Sequence, residues 1–186
     1  MRQNNLYQNG LVIWLTGLSG AGKSTIAIGL EKKLNEKGYF TMAMDGDLIR
    51  TGVNNDLTFT EVDRSENIRR VMEISKMLVQ KDVVVICSFI TPLQRQRDAN
   101  RDALGHKYFE VFVDCPFDVC EARDVKGLYK KARNNEIKHF TGINAGFELP
   151  DRPHLILNSS KQSAEQCIMI LYDMILPLIA EISPGK

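Results

Sequence analysis

The sequence predicts an α/β fold with a five-stranded parallel sheet, helices on both faces and a basic lid segment. Five short apolar segments alternate with longer amphipathic segments along the chain. Residues 83–87 form a continuous, mostly β-branched run, which is typical of a strand in a sheet that is covered on both faces. The chain has 186 residues and no linker or repeat, so a single domain over residues 1–186 is expected.

The first half of the chain contains two predicted strands and two predicted helices. Strands at residues 11–16 and 39–44 flank a helix at residues 23–37. Gly38 lies where a helix C-cap belongs, because glycine adopts a left-handed backbone conformation without strain. Residues 60–63 resemble a capping box, which predicts that a second helix begins there.

The second half contains the remaining strands, at residues 83–87, 108–114 and 154–157. A helix is predicted at residues 93–104, and a last helix follows a capping box at residues 163–166.

The segment between the last two strands is long for a compact domain. Segments of this kind are usually functional, and they often form lids over active sites. We therefore expect a lid at about residues 116–150. Its basic residues are Arg123, Lys126, Lys130, Lys131, Arg133 and Lys138.

Residues 17–25 match the phosphate-binding pattern G-x-x-x-x-G-K-[ST], between a predicted strand and a predicted helix. This context indicates a P-loop NTPase fold and a nucleoside triphosphate ligand. Glycines let the backbone turn tightly and present N–H groups to an anion, and Lys23 adds a charge for the β- and γ-phosphates. Ser24 offers a hydroxyl to Mg²⁺. The nucleotide-binding residues are predicted to be Gly17, Leu18, Ser19, Gly20, Ala21, Gly22, Lys23, Ser24 and Thr25.

Polar or glycine residues end four of the predicted strands: Gly17, Asp45, Ser88 and Asp114. Ligands of open parallel sheets bind at the carboxyl ends of the strands, so the chemistry is expected along this edge. Asp45 and Asp47 are candidates to orient Mg²⁺ through water or to accept a proton from an attacking hydroxyl. The alternative is a turn with Asx hydrogen bonds. Because no acid ends the third strand, these two are the better metal-side candidates.

Four arginines follow the acidic turn at positions 50, 64, 69 and 70. The planar guanidinium suits phosphate and sulfate, and Arg50 and Arg64 are the stronger candidates for anion binding. Arg69 and Arg70 fit equally well on a solvated helix face that is paired with acids. Phe59 and Phe140 lie outside any apolar stripe, so each either stacks on a nucleobase or anchors a loop to the core.

Composition excludes several other classes of protein. A net charge of +1 argues against a protein that coats nucleic acid. The most apolar late stretch, residues 167–180, is interrupted by Asp173 and Pro177 and is too short to span a bilayer. Residues 1–5 show no signal-peptide pattern, and the four cysteines lack zinc-site spacing, so free thiols in a cytoplasmic protein are expected.

Several strings before and after the P-loop are more specific than the P-loop itself, which many kinases share. They are Trp14-Leu15-Thr16 before the P-loop, Asp45-Gly46-Asp47-x-x-Arg50, Asn55-Asp56-Leu57, Asp63-Arg64-Ser65-Glu66-Asn67-Ile68-Arg69-Arg70, Ser88-Phe89-Ile90-Thr91-Pro92, Val113-Asp114-Cys115-Pro116, Cys120-Glu121-Ala122-Arg123-Asp124-Val125-Lys126-Gly127-Leu128-Tyr129-Lys130-Lys131-Ala132-Arg133 and Phe140-Thr141-Gly142-Ile143. Through these strings, from about residue 10 to residue 157, the chain resembles the adenylylsulfate kinase (APS kinase) family.

The resemblance implies transfer of the ATP γ-phosphoryl group to the ribose 3′-hydroxyl of adenosine 5′-phosphosulfate (APS), with Mg²⁺. It implies that Asp47 activates the hydroxyl or lies beside the metal, and that Lys126 belongs to the lid over the reacting groups. Ser88 matches a serine described in the family as a phosphoserine intermediate, although direct in-line transfer with Ser88 contacting substrate is preferred here. The substrate-binding residues implied are Asp45, Asp47, Arg50, Phe59, Arg64, Asn67, Ser88, Ile90, Lys126 and Phe140.

Two departures from the family pattern fall near the acceptor site. Thr58 replaces a usual glycine, and residues 144–147 replace an aspartate and a following Pro-Tyr. A same-fold kinase for another anionic nucleotide therefore stays an alternative, as does a nucleotide-binding module without activity. The latter predicts damage to Lys23, Ser24 or Asp47, and all three are intact. The family is often dimeric, so a homodimer is a further expectation.

Overall fold

Continuous apolar runs form the centre of the sheet in the computed structural model, which describes residues 8–180. Every residue of β1 (Leu11–Thr16) and β3 (Val84–Ser88) is buried, as a sheet covered on both faces requires. The other strands are β2 (Thr41–Asp45), β4 (Tyr108–Asp114) and β5 (Leu155–Asn158). Residues 1–5, on which the signal-peptide prediction depended, lie outside the described residues.

The five strands lie in the order β2-β3-β1-β4-β5, and all neighbouring pairs are parallel. The predicted fold class is therefore confirmed. In the register, Ser88 lies beside Leu15 on one side and beside Asp45 on the other. The ends of β1, β2 and β3 are thus level, which brings the P-loop, the acidic turn and Ser88 to one edge.

Two helices cover each face of the sheet. On one face, α1 (Lys23–Glu36) packs against α7 (Ala164–Ile179) over an apolar cluster that includes Ile13 and Leu15. On the other face, α3 (Glu61–Val79) and α4 (Gln94–Leu104) enclose a second cluster around Trp14. Because successive strand residues point to opposite faces, one buried strand supplies both clusters.

Most predicted boundaries agree with the structure to within one or two residues, and the differences have local causes. β2 begins at Thr41 and not at Tyr39, because the Tyr39 N–H donates to the Leu34 carbonyl (3.1 Å) in the turn that ends α1. Gly38 lies in that turn with a φ of +87°, as predicted. β3 begins one residue late because the Val83 N–H still bonds to Leu78 of α3 (3.3 Å).

The two predicted capping boxes differ in outcome. The box that precedes α7 is complete, since Ser163 and Gln166 each accept a bond from the other's backbone N–H. The box at α3 is only half formed. Thr60 accepts from the Asp63 N–H (3.2 Å), but the Asp63 carboxylate accepts from the Thr58 N–H (2.9 Å) and does not return to Thr60.

Three short helices were not predicted from the sequence: α2 (Gly46–Thr51), α5 (Phe117–Arg123) and α6 (Leu128–Arg133). They are too short to show an apolar period, and contacts outside the helix stabilise them. The Asp124 carboxylate, for example, accepts from the first N–H groups of α6 at Tyr129 (2.9 Å) and Lys130 (3.0 Å). Among residues 8–180, no helix is both long enough and apolar enough to cross a membrane.

Candidate active site

The P-loop turns from β1 into α1 through three glycines with positive φ, at positions 17, 20 and 22. A Cβ atom at Gly20 would lie 2.9 Å from the Cys120 carbonyl oxygen, so a side chain does not fit there. Gly22 is the N-cap of α1, and no side chain of the described part of the chain caps that end. The free N–H groups at the start of α1 are therefore open to an anion.

Lys23 is folded inside this loop. Its Nζ atom donates to the Leu18 carbonyl at 2.7 Å, and the residue is only 8% exposed. Burial lowers the pKa of Lys23 to about 8, because removal from water disfavours the charged form. An anion in the loop would favour the charged ammonium form of Lys23.

Three side-chain oxygens meet beside the loop. The Ser24 Oγ atom donates to Asp45 at 2.6 Å, and the Ser88 Oγ atom lies 3.2 Å from the Ser24 Oγ atom. Burial raises the pKa of Asp45, but hydrogen bonds from Ser24 and from the Asp47 N–H outweigh it, and the net pKa is lowered. Asp45 is therefore ionised, and hydroxyl and carboxylate oxygens are the donors that Mg²⁺ prefers.

These oxygens fit Mg²⁺ when it also takes phosphate oxygens and water, as it usually does. Within residues 8–180, no three His, Cys, Asp or Glu side chains converge on a metal site of their own. Asp45 is also the N-cap of α2, where its carboxylate accepts from the Asp47 N–H at 3.0 Å. The Asx turn that was left as the alternative is thus present together with the oxygen cluster.

Asp47 contacts the segment between β4 and β5. Its carboxylate forms an ion pair with the ammonium group of Lys126, in the turn between α5 and α6. The tertiary structure therefore brings together two residues that were predicted separately as catalytic.

Arg50, Phe59 and Arg64 form one cluster next to this pair. The Arg50 guanidinium lies over the Phe59 ring at 4.5 Å and donates to the Thr58 carbonyl at 2.9 Å. Arg64 donates to the Phe59 carbonyl (2.9 Å) and, across the site, to the hydroxyl of Thr141 (2.8 Å). It also donates to the His139 carbonyl at 2.6 Å. Arg64 thus links the start of α3 to the lid.

The two candidate stacking aromatics differ in exposure. Phe59 is 57% exposed, whereas Phe140 is 6% exposed and lies edge-on to Tyr129, with ring centroids 4.9 Å apart. Phe59 therefore remains largely accessible to solvent, with the Arg50 guanidinium over its ring, and Phe140 has the core contacts of the alternative interpretation. Asn67 is buried and accepts from Asn54 at 2.9 Å, while the Ile90 carbonyl accepts from the Thr16 hydroxyl at 2.6 Å.

The remaining two arginines are held in ion pairs. Arg70 binds Asp56 through two nitrogens, at 2.7 and 2.9 Å, and Glu66 at 2.8 Å. Arg69 pairs with the same Glu66 at 2.7 Å. Both side chains have the partners that a paired helix face predicts.

Two arginines make contacts near the candidate site that sequence reasoning did not predict. Arg123 donates to the Gly20 carbonyl (3.2 Å) and to the Ser159 carbonyl (2.7 Å), so it joins the P-loop to the turn after β5. Arg97 is completely buried under the loop that follows β3. No local sequence signal identified Arg97, because it shares its helical face with Asn100, and the burial of such a polar face is visible only in the folded structure.

Residues 9–158 match the family model described as adenylylsulphate kinase. The chain belongs to this family. It is 48% identical to the adenylyl-sulfate kinase of Clostridium kluyveri over 175 residues, which cover 94% of this chain and 88% of the relative. Its identity to the adenylyl-sulfate kinase of Bacteroides thetaiotaomicron is 49% over 179 residues, covering 96% and 89% of the two chains.

Solved structures of adenylylsulfate kinases also resemble this chain. The APS kinase of Mycobacterium tuberculosis, determined in complex with AMPPNP and APS, superposes with a TM-score of 0.85 at 42% identity. The match covers 90% of this chain and 98% of that structure. The predicted family resemblance is confirmed by sequence and by fold.

Proposed function

We propose that this chain transfers the γ-phosphoryl group of ATP to the 3′-hydroxyl of APS, giving 3′-phosphoadenylylsulfate and ADP. The observation that carries this proposal is the meeting of Asp47 and Lys126 beside an intact P-loop, in a member of the adenylylsulfate kinase family. The M. tuberculosis relative, solved with AMPPNP and APS, supports both the donor and the acceptor.

On the donor side, the P-loop N–H groups and Lys23 bind the ATP phosphates. Ser24 would hold Mg²⁺ directly, with Asp45 or Asp47 acting through water, and the ion would neutralise charge on the phosphate oxygens. The bond from Ser24 to Asp45 (2.6 Å) supports Asp45 as the nearer of the two carboxylates.

On the acceptor side, Asp47 takes the proton of the 3′-hydroxyl as that oxygen attacks the γ-phosphorus. The exposed ion pair with Lys126 is weak enough for substrate to replace it. Lys126 is then free to interact with the transferring phosphoryl group, whose loose transition state needs positive charge more than covalent help.

Arg50, Arg64 and Asn67 bind the phosphosulfate, and Ile90 contributes to the wall of the pocket. Phe59 stacks on the adenine, supported by its exposed ring. We retain Phe140 as the second aromatic of this site. Its contact with Tyr129 supports a fixed wall more than a mobile ring.

The departures from the family pattern have structural roles beside this pocket. Thr58 bonds to Asp63 through its hydroxyl and its N–H group, contacts of which a glycine could make only the second. Asn144 accepts from the Phe140 N–H and so closes the turn behind that ring. A cavity of about 800 Å³ lies between Leu18 of the P-loop and residues 143–147. Because these departures lie beside the proposed acceptor pocket, the identity of the acceptor nucleotide is the part of the proposal to test first.

The deciding experiment incubates the purified protein with ATP, Mg²⁺ and a panel of nucleotides that includes APS. We expect ADP release with APS and formation of 3′-phosphoadenylylsulfate. Turnover of another nucleotide, without turnover of APS, would replace the acceptor but keep the kinase. Absence of turnover with every acceptor would favour a nucleotide-binding module. Lys23→Ala is the inactive control.

We also propose a single-domain, cytoplasmic protein that forms a homodimer. All helices and strands between residues 8 and 180 pack around one sheet, which supports one domain. The four cysteines are free and buried, as expected in a reducing compartment. Met174 and Leu178 on α7 are partly exposed apolar residues that a second copy could cover, and sedimentation would test this.

A further inference from the structure

Arg97 of α4 is buried to 0% exposure, and its guanidinium bonds to three different segments. Nη1 donates to the Thr91 carbonyl at 2.8 Å, and Nη2 donates to the Glu148 carbonyl at 2.8 Å. Nη2 also donates to the Gln94 side chain at 2.6 Å, and Nε lies 3.5 Å from the carboxylate of Glu110 on β4. A charge removed from water is costly, and this one is compensated by directed bonds.

Two of these partners belong to segments that border the acceptor site. Thr91 lies in the loop after β3, directly after Ile90. Glu148 lies in the segment that returns from the lid, and its N–H donates to the Pro92 carbonyl at 2.8 Å. The Glu148 carboxylate accepts from the Gln94 N–H at 2.5 Å, at the start of α4. Arg97 lies beneath the junction of these two segments.

The loop needs such support because Thr91 has a φ of +45°, which is unfavourable for a β-branched residue. Two bonds from β1 hold the opposite side of the loop. The Trp14 indole N–H donates to the Thr91 hydroxyl at 2.8 Å, and the Thr16 hydroxyl donates to the Ile90 carbonyl at 2.6 Å. Residues 90–91 are thus held between β1 and Arg97.

We propose that Arg97 is a positioning residue for the acceptor substrate. Its guanidinium holds the loop after β3 and the returning lid segment in one arrangement, and this sets Ile90 and the lid relative to the P-loop. This inference rests on the proposed function in one respect, which is that the two segments border the acceptor site. No part of it depends on which nucleotide is phosphorylated.

Lysine is the informative replacement. Arg97→Lys keeps a positive charge near Glu110 but cannot bridge the carbonyls of Thr91 and Glu148 with one planar group. Glu110 also keeps its second cation, because Arg101 binds it at 2.6 Å. The variant therefore leaves Glu110 with at least one arginine partner.

Arg101→Lys is the matched control. Arg101 pairs with the same Glu110, but its other bond goes to the Arg152 carbonyl (3.0 Å), away from the loop after β3. Steady-state kinetics with the full chain should show kcat/KM for APS about tenfold or more lower in Arg97→Lys. The affinity of Arg97→Lys for an ATP analogue should stay within about twofold of the wild-type value. In Arg101→Lys, both this affinity and kcat/KM for APS should stay within about twofold of wild type.

Hydrogen exchange supplies a readout that needs no turnover. In Arg97→Lys, the Glu148 N–H should exchange faster, while P-loop amides stay unchanged. Unchanged APS kinetics in folded Arg97→Lys, or equal losses for APS and ATP, would overturn the proposal. If wild type phosphorylates a different nucleotide, the function proposal fails, and the same comparison with that nucleotide still tests Arg97.

A second variant covers the case in which Arg97→Lys does not fold. Glu148→Gln weakens the bond to the Gln94 N–H at the same junction and leaves the buried guanidinium in place. It should lower kcat/KM for the acceptor in the same direction, with ATP-analogue affinity unchanged. No effect of Glu148→Gln on the acceptor would count against the proposal.

Discussion

Lys126, in the turn between α5 and α6, forms an ion pair with Asp47, the second residue of α2. Their side chains are 53% and 69% exposed, so water competes for both charges. Exposed pairs of this kind are weak. The pair therefore holds the turn after α5 against the carboxyl-end edge of the sheet by a contact that water can replace.

Replacement of Asp47 tests its role as the base. Asp47→Asn keeps the shape of the side chain but cannot accept the hydroxyl proton, so kcat should fall by about 10²–10⁴. The KM for ATP should change little, because Asp45, which accepts from Ser24 at 2.6 Å, is the nearer carboxylate to the proposed metal position. Steady-state kinetics measures both. Asp102→Asn, an exposed change on α4, is the control, and a kcat of wild-type size in Asp47→Asn would contradict the assignment.

The pKa of Lys23 predicts a pH dependence of nucleotide binding. In the protein without nucleotide, burial lowers the pKa of Lys23 to about 8. Bound phosphates favour the ammonium form of this side chain. Below that pH the lysine is already charged. Above it, ATP binding must take up a proton, so affinity should fall as pH rises through about 8.

Calorimetry of ATP-analogue binding at about pH 9, in buffers of different protonation enthalpy, measures this proton uptake. Lys23→Arg should abolish the uptake even if binding is weaker, because arginine stays charged throughout this range. Equal binding heats in all buffers for the wild-type protein would show that Lys23 does not change its protonation.

Arg64 should affect the acceptor more than the donor. Arg64→Ala removes a guanidinium that bonds to both Phe59 and Thr141, and kcat/KM for APS should fall by about tenfold or more, with KM for ATP nearly unchanged. Arg69→Ala is the matched control, since Arg69 is exposed and bound to Glu66. If both variants behaved alike, the anion pocket would lie elsewhere.

Ser88 distinguishes direct transfer from a covalent intermediate. It is buried, with its hydroxyl 3.2 Å from that of Ser24, which suits a contact to substrate or metal-bound water. With γ-labelled ATP and no acceptor, we expect no label on the protein, and we expect Ser88→Ala to keep measurable turnover. If the wild-type protein became labelled and the Ser88→Ala variant did not, the phosphoserine route would be established.

Much of the fold and of the donor site followed from the sequence. The strand pattern predicted five parallel strands, because buried strands need continuous apolar residues and such runs are visible locally. The short helices α2, α5 and α6 were missed. They contain at most seven residues each, too few for a period, and their caps depend on turns such as that of Asp124.

The sequence by itself predicted the nucleotide half of the site. Nine consecutive residues, which run from the end of a strand into a helix, match the phosphate-binding pattern. Only the tertiary structure showed which residues of the proposed acceptor half lie together. Asp47 and Lys126 are 79 residues apart, and Arg64 and Thr141 are 77 apart. Local pattern cannot show such pairs, since they exist only when the sheet edge and the lid are folded together. For the same reason, the proposed role of Arg97 rests on its burial and its contacts in the fold and not on its sequence neighbours.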